Sequence, residues 1–170
     1  MSLSVHDSSV GVFTRLLGNL EKILDQAAAW ADEKKIDHSA LLLARLAPDM
    51  FTLTRQVQIT TDMAKGTAAR LAGIEPPSYK DDEASFADLK ARVVKTREFL
   101  ATLQPAQFEG SEARQVKLTL GPPGRQTTME FIGRDYLLNF GTPNVYFHYS
   151  MVYALLRHNG LAIGKRDYTG

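Results

Sequence analysis

The stretch PNVYFHYSMVYALLRHNG, residues 143–160, reads as one helix with a signal at each end. Thr142 is expected to cap it and Pro143 to occupy its first position, where proline's missing N–H costs nothing. Gly160 suits the left-handed residue beyond its end. At about 100° per residue, Phe147, His148, Met151, Val152 and Leu155 fall on one face. Tyr146, Tyr149, Tyr153 and Arg157 fall roughly opposite, with Ser150. This spacing predicts that His148 points inward among apolar groups, where a buried imidazole needs hydrogen-bond partners from another helix. His158 lies ten residues further on, about 15 Å along the axis, so the two histidines cannot share an ion. It is explained as a C-terminal residue favoured by the helix dipole.

Working outward, three more helices are expected. In the first, starting near Ser4 or Asp7, Phe13, Leu16, Leu17, Leu20, Ile23, Leu24, Ala27 and Ala31 keep a spacing of three and four, which marks a buried face. Asp37 is the expected cap of a second helix over residues 39–72, kinked or briefly broken at Pro48 and stopped at Gly73. A proline-rich, charged linker, IEPPSYKDDEA, separates it from a third helix that Ser85 and Asp88 open and that runs to about residue 103. Two alternating runs around GPPG then predict a β-hairpin. Its apolar face holds Val116, Leu118 and Leu120 with Thr127, Met129 and Phe131, too little to stand alone. The tyrosine stripe of the last helix could cover that hairpin, line a ligand pocket or form a dimer face. The expected architecture is therefore all-α, a four-helix bundle with a small hairpin between helices three and four, in a single domain over 1–170.

The second helix carries polar interruptions. Leu42, Leu46, Leu53, Val57, Ala64 and Leu71 form its apolar stripe, and Asp49, Gln56 and Thr60 lie along the same stripe. An inward carboxylate must be paired or coordinated, and Arg45 is the expected partner of Asp49 one turn away. Facing helices with inward polar groups are how bundles build metal and ligand sites. Asp49, Gln56, Thr60 and His148 are thus the candidate pocket, with His148 and Asp49 the catalytic candidates as base and orienting carboxylate. Two plainer readings stand beside this one. Asp49 follows Pro48 and would simply cap a restarted helix, and a single inward histidine can be a satisfied core residue.

Composition excludes several classes. In 170 residues, 44% are hydrophobic and 23% charged, with a net charge of +1, which gives no field that would draw nucleic acid or a membrane surface. There is no cysteine, so thiolate chemistry and cysteine metal sites are out. No apolar run approaches the ~20 residues of a membrane span, and no secretory leader is visible. A cytoplasmic location is the expectation.

Three segments, LARLAPDMFTLTRQVQ, AKGTAARLAGIEPP and PNVYFHYSMVYALLRHNG running into GKRDY, together resemble the bacterial family called domain of unknown function 1993. That family is grouped with the DinB/YfiT-like helical bundles. The resemblance implies a four-helix bundle with a long crossover, often a homodimer. It also implies a divalent metal such as zinc, nickel or manganese, held by one histidine of helix two and a His-x-x-x-His pair of helix four. Some members of the wider group act as thiol-dependent transferases or isomerases. In this chain only His148 matches the pair, with Val152 four residues later and Asn144 four earlier. Asp49 or Gln56 occupies the region of the helix-two histidine. A metal would have to use His148, Asp49 and Asn144, and one histidine with neutral amides is a weak set. That deficit favours no metal and a small-molecule ligand, or an interaction module without the site.

Overall fold

A computed structural model describes residues 3–121 and 124–170. Pro122 and Pro123, at the centre of the expected hairpin turn, lie outside the described residues. The chain is a four-helix bundle built from α1 (Val12–Lys34), α3 (Leu53–Ala72), α4 (Phe86–Thr102) and α6 (Thr142–His158). Helix α3 packs on α6 and α4, and α1 packs on α4 and less extensively on α6. Shorter helices α2 (His38–Leu42), α5 (Gly133–Asp135) and α7 (Lys165–Thr169) complete it, with strands β1 (Gln115–Leu120) and β2 (Thr127–Ile132) between α4 and α6.

The first helix begins where expected. Ser4 Oγ accepts the Asp7 N–H at 2.9 Å and donates to the Asp7 carboxylate at 2.7 Å, satisfying a free amide of the first turn. A wide turn over Asp7–Gly11 leads into α1, and all eight apolar residues of its expected face are buried. Each fully buried leucine there contributes about 1.5–3 kcal/mol, so the periodicity alone accounts for how α1 docks.

The expected helix over 39–72 is two helices. Asp37 does cap α2, accepting from the Ser39 N–H at 2.9 Å, but residues 43–52 are irregular. Pro48 cannot donate to the ladder, and Thr52 offers a fresh start by accepting the Arg55 N–H at 3.3 Å. Helix α3 ends at Gly73, in the left-handed region at φ 75°. Ser85 caps α4 by accepting the Asp88 N–H at 3.1 Å and donating to that carboxylate at 2.7 Å.

The hairpin pairs Val116 with Phe131, Leu118 with Met129 and Leu120 with Thr127, the register the alternation requires. Its cover is Tyr136 and Phe140, whose rings lie 5.7 and 5.5 Å from Phe131. The tyrosines of α6 do not provide it. Tyr149 is fully buried and stacks at 4.3 Å on Tyr168 of α7, and Tyr153 meets the same ring edge-on. Phe147, expected inside, is 53% exposed. The buried arc of α6 is therefore turned toward Tyr149, because α7 closes over that side.

Thr142 is not a cap either. Residues 133–158 form one continuous helical run, with a wide π turn over Tyr136–Gly141. Pro143 lacks an N–H and its ring crowds the carbonyl four residues back, and an opened ladder just upstream accommodates it. Gly141 packs tightly on α3: a Cβ there would sit 2.5 Å from Thr67. The helix stops at Gly160, φ 106°.

Candidate functional site

Helices α3 and α6 run antiparallel, and Gln56 of α3 meets His148 of α6 in the seam between them. The Nδ1–H of His148 donates to Gln56 Oε1 at 2.7 Å. An amide oxygen only accepts, so this bond fixes the ring proton on Nδ1 in the neutral imidazole and leaves Nε2 as an acceptor. Nε2 has no protein partner among the described residues. Burial, and the positive charge of Arg55, lower the His148 pKa below its ordinary value. The ring is edge-on to exposed Phe147 at 5.1 Å. The result is a neutral, oriented imidazole with its basic nitrogen unused.

The other sequence candidates do not join it. Asp49 is exposed in the turn before α3. Its expected partner, Arg45, donates instead to the Met50 carbonyl. The inward reading of Asp49 required an unbroken helix through Pro48, and that helix does not exist. Leu46, assigned to the same stripe, is exposed for the same reason. Thr60 is buried, but its hydroxyl donates to the Gln56 carbonyl at 2.8 Å, one turn back on its own helix. Asn144 spends its amide N–H on the Phe140 carbonyl at 2.7 Å.

These contacts bear directly on the metal that the fold implies. His148 Nδ1 is committed to Gln56, Asn144 to the backbone, and Asp49 is in a separate exposed turn. Among the described residues, no group of three or more histidine and acidic side chains is gathered to hold an ion. A divalent site wants at least three protein donors, so the residues present do not fit one.

The sequence reading missed a second polar cluster, on the α3–α4 side. Arg92 is 4% exposed. Its guanidinium donates to Thr61 Oγ1 at 2.8 Å, to the Lys80 carbonyl at 2.8 Å, to Glu83 at 2.9 Å and to Asp62 at 2.7 Å, with Asp81 at 3.1 Å. Burial opposes its charge, but the Glu83 hydrogen bond and the surrounding carboxylates outweigh burial and hold its pKa above the ordinary value. Lys65 pairs with Asp62 at 2.8 Å, and the Tyr79 ring lies between Lys65, Lys95 and Arg92. This network ties the charged linker 74–85 to the bundle. Its signal is Arg92 on the buried stripe of Leu89, Val93 and Thr96, facing a linker rich in acids.

Comparison with known proteins supports the fold. A family model described as Domain of unknown function (DUF1993) matches residues 5–169. A crystal structure of a DinB family member protein from Shewanella denitrificans superposes with a TM-score of 0.86 at 36% identity, over 98% of this chain and 92% of that one. No curated protein matches.

Proposed function

This chain belongs to the domain of unknown function 1993 family, with the fold of the DinB bundles, and from that premise we propose that it binds a small polar molecule at the α3–α6 seam. His148 is the acceptor, offering Nε2 to a hydrogen-bond or proton donor, with Gln56 as its positioning residue. No divalent metal takes part. The observation that carries this reading is the 2.7 Å bond from His148 Nδ1–H to Gln56. It commits the nitrogen facing the protein and leaves the other free on a ring held neutral, the state a general base or a ligand-binding imidazole requires. If the bound molecule reacts, His148 takes its proton.

A panel of small alcohols, thiols and amides, titrated into labelled protein and followed through the His148 ring resonances, tests this. The ring is expected in its Nδ1–H tautomer, with saturable shifts from at least one donor class that a His148→Phe variant loses. Stoichiometric zinc, nickel or manganese retained after desalting, or a panel with no effect on the ring, would overturn it.

A second reading, a homodimeric interaction module, draws on the exposed aromatic and apolar side chains Phe147, Tyr146, Phe51 and Leu46. Where such side chains are contiguous they mark interfaces. Sedimentation of the wild type against Phe147→Ser tests it: a monomer in both removes the dimer.

A further inference from the structure

About 9–21 Å along α3 from Gln56, at a rise of 1.5 Å per residue, α3, the hairpin and the π turn before α6 border a cleft of about 180 Å³. Its lining includes Lys65, Arg70, Tyr136, Phe140, Leu118 and Met63. One Arg70 amino nitrogen donates to the Gly66 carbonyl at 3.0 Å and to Tyr136 Oη at 3.3 Å. Its Nε and second amino nitrogen have no protein partner among the described residues. Tyr136 is 1% exposed, and its hydroxyl accepts from Arg70 but has no recorded acceptor for its own proton, a costly state for a buried phenol. One carboxylate lines the cleft as well, Asp62, and Lys65 and Arg92, rather than Arg70, both hold it through Oδ1. Arg70 is thus a cation without a carboxylate, beside a phenol without an acceptor.

The sequence makes room for this arrangement. Gly66 sits inside α3, where glycine costs about 1 kcal/mol relative to alanine. A Cβ there would lie 2.7 Å from the Arg70 amino nitrogen. The missing side chain is what lets the guanidinium lie flat against the helix and face the cleft.

We infer that this cleft is a binding site for a small monocarboxylate with a short apolar body. The planar guanidinium fork matches a carboxylate in two parallel hydrogen bonds, and Tyr136 supplies a third donor. The stacked Tyr136 and Phe140 rings, with Leu118 and Met63, would pack the apolar part. The volume equals about six waters at roughly 30 Å³ each, which fits a four- or five-carbon acid. This site is separate from the His148 seam, and its fate does not depend on that one.

Butyrate, butyramide and inorganic phosphate, each titrated into labelled protein at constant ionic strength, test the inference. Butyrate is expected to give saturable amide shifts around Gly66, Arg70 and Leu118. Butyramide lacks the charge and phosphate lacks the apolar body, so both should bind more weakly. Gly66→Ala should displace the guanidinium and weaken butyrate about tenfold, the loss of one charge-assisted hydrogen bond, without lowering the melting temperature. Arg70→Gln should do the same, and Tyr136→Phe should weaken binding less. No saturable shift with butyrate, equal affinity in Gly66→Ala and Arg70→Gln, equal affinity for butyramide, or tighter binding of phosphate would each overturn it.

Discussion

Helix α3 builds two polar clusters on two of its faces, and they differ in what they leave unpaired. Toward α4, Arg92 is closed on all sides by Thr61, Asp62, Asp81, Glu83 and the Lys80 carbonyl. Toward α6, His148 has one bond, to Gln56, and a free ring nitrogen. The first is a clamp: each strong group is consumed in holding the linker to the bundle. The second is a fixture: one bond sets the orientation of a group whose other end is unused. Saturation argues for a structural role, and an oriented vacancy argues for a functional one.

The largest expected effect breaks or upholds the clamp half of this contrast. Arg92→Met would leave Asp62, Asp81 and Glu83 gathered around an apolar side chain. Removing one partner of a buried ion network costs about 3–5 kcal/mol, and urea denaturation should show a loss of that size. Linker 74–85 should also become accessible to protease in the variant. A loss under about 1 kcal/mol, the worth of an exposed pair, would mean that the network is surface decoration.

Gln56→Leu should cost less, about 1–3 kcal/mol, the penalty for a donor left unsatisfied in the interior. The informative readout is the His148 ring rather than the stability. With Gln56 gone, the Nδ1–H tautomer should lose its preference, and the nitrogen shifts of the ring should move toward a mixture. An unchanged tautomer would show that Gln56 does not orient the ring.

Most of what was legible from sequence is set by local spacing. The eight apolar residues of α1, the Ser85–Asp88 cap and the hairpin alternation are set by neighbours within a few residues, and each is found where its spacing placed it. His148 and Gln56 were also legible, as polar residues at positions where a leucine is expected. Asp49 was not, because its inward placement assumed that the helix ran through Pro48. The capping hydroxyl of Thr52, a competing local signal, settles that point. Phe147 and Tyr149 exchanged their expected surroundings because α7 returns across α6 and buries the Tyr149 side. No local period encodes that return. Arg92 is harder to find although its partners lie at most 31 residues away, against 92 between Gln56 and His148, because a long cationic side chain on a charged helix ordinarily keeps its head in solvent.

The smallest effect follows from the depressed pKa of His148 and separates the two clusters by acid. Burial and Arg55 both disfavour the imidazolium in the folded chain, while in the unfolded chain the ring titrates at about 6.5. As the pH falls through that value, the unfolded state takes up the proton first and the folded state resists. The stability linked to the neutral ring is therefore present above about pH 6.5 and is lost as the pH drops toward and through the lower folded pKa. Arg92 stays charged across this range and contributes nothing to the slope. Every other titratable group is common to wild type and a His148→Gln variant, so the difference between the two isolates His148. Urea midpoints measured from about pH 7.5 to pH 5 should fall more steeply for the wild type than for the variant. Parallel curves would mean that the fold does not hold this imidazole neutral, and the contrast between a saturated clamp and a poised base would lose its second half.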